Sequence, residues 1–213
     1  GTDPGSDEKA VGRPRVRREA LDDFGCAGCT ENEERIARVL DHELRERQPL
    51  IFYAAAPHFQ QTNTAFGGVG EGTGGFTEML KNRVVLPSAG PLAETDHVLG
   101  HELVHAFQYD MTRSSSNQVP GAMRLPLWFI EGMAEYLSLG PIDANTAMWV
   151  REASSRDAMP TIDRLDDPDF FPYRYGHAFW AYVAGRWGDQ AVGDLLRATG
   201  PSAWTSSDSV SSS

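Results

Sequence analysis

Cysteine is nearly missing from this chain: Cys26 and Cys29 are the only two in 213 residues, which excludes a scaffold built on disulfides. Long apolar runs are missing too. None approaches the roughly 18 residues that span a bilayer, so no transmembrane segment is expected. Positive charge is in deficit, with 19 Lys and Arg against 30 Asp and Glu and a net charge of −11. That balance argues against nucleic acid or an anionic membrane as a partner. No internal repeat is visible, and no Gly-Lys-Ser/Thr follows the glycines of Gly67–Gly75, so phosphate binding is not expected there. What is present is 40% hydrophobic and 10% aromatic residues, too apolar for a wholly disordered chain and enough for one domain with a sizeable core.

Composition divides the chain into three. Residues 1–30 mix Gly, Pro and charge, including Arg13, Arg15, Arg17 and Arg18, and read as a flexible or incomplete segment. Residues 31–200 carry the periodic patterns of a domain, and 201–213 are a Ser-rich tail or linker. Cys26-Ala27-Gly28-Cys29 has no second pair and no following His. It is therefore neither a zinc ribbon nor a haem attachment site, and reads as a disulfide or two incidental thiols.

Within the domain, Ile36, Val39, Leu40 and Leu44 recur at helical spacing and predict a helix over 31–47. Pro49 stops it, and the apolar run from Leu50 to Ala55 predicts a buried strand. The six glycines of Gly67–Gly75 predict a loop. Phe76–Leu80 and Arg83–Leu86, with Lys81-Asn82 between them, predict a hairpin. Helices are expected from Glu94, over Leu127–Leu139 before Gly140-Pro141, after Asn145, over Tyr175–Trp187, and from an Asp189 cap to Gly200-Pro201. Strands early and helices late describe an α+β domain.

The chemistry centres on His101-Glu102-Leu103-Val104-His105. Four residues are slightly more than one helical turn, so both imidazoles leave one face and can share a metal ion. Glu102 lies about 100° round the helix, placed to take a proton from water without being a ligand. Zinc accepts such donors and keeps one position open. With six His and fourteen Glu in the chain, chance yields about 0.01 such strings. A catalytic zinc site needs a third protein ligand, and Glu131 in Trp128–Tyr136 is the candidate. An acid among Trp128, Phe129, Ile130 and Met133 would be costly to bury without a partner. Glu135, Asp96 and Asp110 are the acids that could orient a ligand histidine through its second nitrogen. His97, one turn before His101, reads as capping or packing, because three ligands on one straight helix span too far for a single ion.

The two motifs together resemble the gluzincin metallopeptidases, whose aminopeptidase members carry H-E-x-x-H and then W-L-N-E-G-F-A. They resemble still more the bacterial peptidase MA-like proteins, some of which continue into a β-propeller. The resemblance runs over about Pro49–Gly200 and implies a zincin-like domain with a small mixed sheet, whose edge strand lines the cleft beside a mainly helical C-terminal half. It implies one Zn2+ bound by His101, His105 and Glu131, with Glu102 as general base in hydrolysis of a peptide or protein substrate. It also implies an extracytoplasmic place: secreted, periplasmic or surface-anchored. Phe129-Ile130 replaces Leu-Asn, the gap between the motifs, with 25 residues between His105 and Glu131, exceeds that of the aminopeptidases, and no G-A-M-E-N string occurs. Aminopeptidase specificity is therefore not implied, and an endopeptidase is the expectation. The donor to the oxyanion is sought among Tyr173, Tyr175 and His177; the Tyr-Gly pair of related proteins favours Tyr175. Gly74–Glu78 is the expected edge strand. The rival expectation is a degenerate zinc-binding domain serving as a peptide-binding or scaffold module. A hydrolase of non-peptide amides would share the same site.

Overall fold

The computed structural model describes residues 27–46, 48–62, 74–88, 90–113 and 120–199. The basic arm, Cys26, most of the glycine-rich loop and the Ser-rich tail lie outside the described residues. Among the described residues, seven α-helices and three strands follow in the order α1 (Ala27–Leu40), β1 (Leu50–Tyr53), α2 (Ala56–Thr62), β2 (Phe76–Glu78), β3 (Arg83–Pro87), α3 (Leu92–Thr112), α4 (Leu127–Leu139), α5 (Ala144–Ser155), α6 (Pro172–Trp187) and α7 (Gln190–Ala198). Single 3-10 turns at Gly121–Arg124 and Ile162–Arg164 join some of the helices. This is an α+β architecture with a small mixed sheet and a mainly helical second half, as expected.

The sheet has the order β1-β3-β2. The central strand β3 is the most apolar, with Val84, Val85 and Leu86 all fully buried, as a strand covered on both faces must be. β1 pairs with it in parallel, Leu50 opposite Val84, and β2 antiparallel, Phe76 opposite Val85. The predicted hairpin therefore forms, and Asn82 takes the left-handed conformation at its turn (φ 47°). Among the described residues β2 has no partner on its outer side.

The sheet lies against α3, a 21-residue helix. From Leu99 to Asp110 all of its residues but Tyr109 are buried. Leu99, Leu103 and Phe107 belong to the apolar core shared with α1, β1 and β3, whereas His101 and His105 lie about 200° round the helix from Leu99 and Leu103. The core continues through α4 and α6 with Met133, Leu137 and Trp180.

Helix ends explain where observation and expectation part. α1 ends at Leu40 rather than Arg47. Asp41 turns left-handed (φ 46°), His42 N–H bonds Ala37 O at 3.0 Å and Asp41 N–H bonds Arg38 O. That is a Schellman closure with Asp in the place usually held by Gly. Asp189 makes no side-chain cap for α7; its Oδ1 accepts from the Tyr136 hydroxyl at 3.1 Å. α6 begins at Pro172, three residues before the expected start, because proline is well suited to a first helical turn.

Candidate metal centre

Three helices supply the site. α3 carries His101, Glu102 and His105, α4 carries Glu131 and Glu135 one turn apart, and the first turn of α6 carries Tyr173 and Arg174. Two glycines set the crossing of α4 and α6. A methyl group on Gly176 would overlap the Trp128 carbonyl oxygen, and one on Gly132 would strike the main chain of Gly176. The helices therefore meet backbone to backbone, bringing the first turn of α6 beside Glu131.

His101 Nε2 lies 3.0 Å and His105 Nε2 3.4 Å from Glu131 Oε2. Donors at about 2.0–2.1 Å from a tetrahedral ion stand about 3.4 Å apart, so these two imidazoles and the carboxylate fit one zinc. All three donor atoms lie within 4.8 Å of one another. Glu102 is buried beside them, and its Oε2 accepts from the Thr77 hydroxyl at 2.7 Å.

Each histidine is gripped from behind. His101 Nδ1 donates to Glu135 Oε1 at 3.1 Å, and His105 Nδ1 donates to Gln108 Oε1 at 2.8 Å. The Gln108 amide is itself fixed by donating from Nε2 to Ile130 O at 3.0 Å. A carboxylate can only accept, so Nδ1 of His101 keeps a proton for Glu135, and Nε2, which faces Glu131, is the nitrogen that would give up its proton and offer a lone pair to a metal. Arg174 Nη1 donates to Glu135 Oε2 at 2.8 Å and also reaches Asp143 Oδ2 at 3.4 Å.

Charges follow from this packing. With no ion bound, burial opposes a charged His101, but the bonds to Glu131 and Glu135 and the nearby Glu102 outweigh it and raise its pKa to about 10. His105 is raised for the same reasons, chiefly by Glu131 against burial. Burial would raise Glu131 and Glu135, yet their histidine partners hold both well below the usual carboxylate range. Tyr173 stacks on His101 with ring centroids 5.8 Å apart and shares a hydrogen bond with Glu131. Burial and the Glu131 charge push its phenol far above the ordinary range, so it is a proton donor. Tyr109 stacks on His105 at 6.2 Å and is pushed up to about 12 by burial, Glu102 and Glu131.

His97, His101 and Glu135 form a second close set. It shares His101 with the first, and a neutral imidazole has one lone pair to give. Arg174 on Glu135 also repels a cation there. The geometry makes this set a hydrogen-bonded support, with His97 Nε2 3.2 Å from Glu135 Oε1.

The structure thus brings together His101, Glu102, His105 and Glu131. It does not bring Tyr175. That ring packs edge-on to Trp149 (6.3 Å) and Phe170 (5.3 Å), and lines an apolar cavity of about 1080 Å³ between α5, α6 and α7. Two residues on a helix are about 200° apart, so Tyr173 faces the histidines where Tyr175 cannot. His177 is also elsewhere, with Nε2 donating to Gly140 O at 2.8 Å. Of the three acids that could orient a ligand histidine, Glu135 does so; Asp96 accepts from Asn32 at 3.1 Å, and Asp110 pairs with His42 at 2.7 Å. His97, expected to cap or pack, packs edge-on against the His101 ring at 6.2 Å and reaches Glu135. The roles of Gln108, Thr77 and Arg174 escaped the sequence reading. Gln108 carried a legible signal, being three residues past His105 on the same helix; Thr77 was placed at the cleft with the expected edge strand Gly74–Glu78, but nothing in the sequence pointed to its bond with Glu102.

The profile of a family described as peptidase of plants and bacteria matches residues 79–211, more than half of the chain. No curated protein and no solved structure gives a significant match.

Proposed function

The chain belongs to the peptidases of plants and bacteria, and from that premise we propose that it hydrolyses peptide bonds with one zinc ion held by His101, His105 and Glu131. The observation that carries this reading is the convergence of the two Nε2 atoms on Glu131 Oε2, at 3.0 and 3.4 Å, beside an acid on the same helix that is not part of the donor set. Bound there, zinc supplies Lewis-acid polarisation and brings the ionisation of water towards neutral pH. Glu102 takes the proton of the attacking water at its carboxylate and delivers it to the amine nitrogen that leaves. Tyr173 donates its hydroxyl to the oxygen that gains charge. The outer side of β2 is suited to holding an extended peptide by main-chain bonds. Gluzincin-type endopeptidase action and an extracytoplasmic setting belong to the same proposal, supported by the motif resemblance. A degenerate binding module needs no acid beside the donor set, and Glu102 is both present and held.

The test is metal analysis with cleavage of a broad peptide library. The native chain is expected to carry one zinc and to cleave peptides until a chelator is added. Glu102→Gln should keep the zinc and lose cleavage by about 100-fold or more. A Glu102→Gln protein with native cleavage, or a His101→Ala protein with full zinc, overturns the reading.

A further inference from the structure

We propose that Thr77 is the positioning residue of the general base, tying Glu102 to the strand that receives the substrate; this rests on the peptidase reading above. Thr77 is the middle residue of β2, opposite Val84. Its strand neighbours turn to the other face: Phe76 packs on Phe59 with centroids 5.5 Å apart, and Glu78 bonds Arg83 and Lys81. Thr77 therefore faces α3. Its hydroxyl lies 2.7 Å from the main-chain oxygen of Glu102 and 2.7 Å from Oε2 of the same residue. One hydroxyl proton serves one acceptor at a time, so the carboxylate and the main-chain oxygen of Glu102 share it, and either bond ties this residue to β2.

Gly75, two residues earlier and so on the same face of the segment, completes the hold. A methyl group there would come within 3.2 Å of Glu102 Cγ and equally close to Leu86 and Val98. The stem of the base thus lies against bare backbone at residue 75, and its carboxylate is bonded at residue 77. A peptide that pairs with the outer side of β2 is held in the same rigid frame as the group that moves its proton. The distance from scissile bond to base is then set by one strand rather than by two independent elements, which is how alignment within an ångström is kept.

The test compares Thr77→Val, which removes the hydroxyl at nearly constant shape, with Thr77→Ser, which keeps it. The probe is a fluorogenic peptide chosen from sequences the native chain cleaves, read beside zinc content and Tm. Thr77→Val should lose about 10- to 100-fold in kcat with KM little changed and zinc fully retained. Thr77→Ser should recover most of that loss. If Thr77→Val does not fold, Thr77→Ala takes its place with the same expectation. Native kcat in Thr77→Val beside an inactive Glu102→Gln overturns this inference alone. So does a Thr77→Ser protein as impaired as Thr77→Val, because the hydroxyl is then not the cause. A native chain that cleaves nothing, or a Glu102→Gln protein with native cleavage, overturns the peptidase reading and the inference with it.

Discussion

His101 is held at both nitrogens by acids one turn apart on α4, Glu131 at Nε2 and Glu135 at Nδ1. One residue spacing thus serves both contacts to the ring, and this part of the site could be read from Trp128–Tyr136 before any coordinates. The tyrosine could not. Tyr173 and Tyr175 differ by two positions on one helix, and choosing between them needs the helix phase, which the start at Pro172 rather than Tyr175 decides. Tyr173→Phe is accordingly expected to lower kcat by about 100-fold with zinc unchanged, the usual cost of one oxyanion donor. Tyr175→Phe, among Trp149 and Phe170, should leave kcat at the native value. Steady-state kinetics on a cleaved peptide checks both, and the reverse pattern would restore Tyr175.

At the scale of elements, two joints matter most. Asp143 caps α5, its Oδ2 accepting from Thr146 N–H at 2.6 Å. Burial tends to raise its pKa, but that bond and the Arg174 charge outweigh it and hold the carboxyl below its ordinary value. A lowered folded-state pKa gives stability that is present above the unfolded value and lost as pH falls through the folded one. Asp143→Ala should therefore cost about 1 kcal/mol at neutral pH, and the difference should shrink below about pH 3.9. Denaturant titrations at pH 7 and pH 3 measure it, and a difference independent of pH would refute it. At the second joint, Gly176→Ala should lower stability by about 3 kcal/mol or more, or prevent folding, since its methyl overlaps a carbonyl rather than a side chain. A native Tm in that variant would show that the helices can separate freely. The boundaries of α4 were legible because Pro126 and Gly140 mark them, whereas α6 starts at Pro172, three residues before its expected start. The end of α1 was missed where Asp41 did the work of a glycine, because an αL aspartate has no signature in the sequence.

Over the whole molecule, the α+β class and the hairpin were legible because β3 is a short buried apolar run and the helices have strong periods. The strand order was not, because parallel pairing of β1 with β3 depends on contacts across the intervening chain. The site joins three helices and one strand, yet its charges are paired even with no ion bound, Glu131 lying against both histidines. Chelation should therefore leave the fold intact while lowering Tm by about 10 °C, the linkage expected for an ion near a thousand times its Kd. Circular dichroism melts with and without chelator test this, and loss of helix at 25 °C would contradict it. The crossing of α4 and α6 carries a last consequence, for the evolution of the chain. Every nearest atom that a side chain would meet at Gly132 or Gly176 belongs to the backbone. No contacting side chain can therefore shrink to make room, so a change at either glycine is not relieved by trimming its neighbour. Mutational drift can rewrite the faces of these helices that point away from the metal centre, but a side chain at either of these two positions requires the helices themselves to move apart.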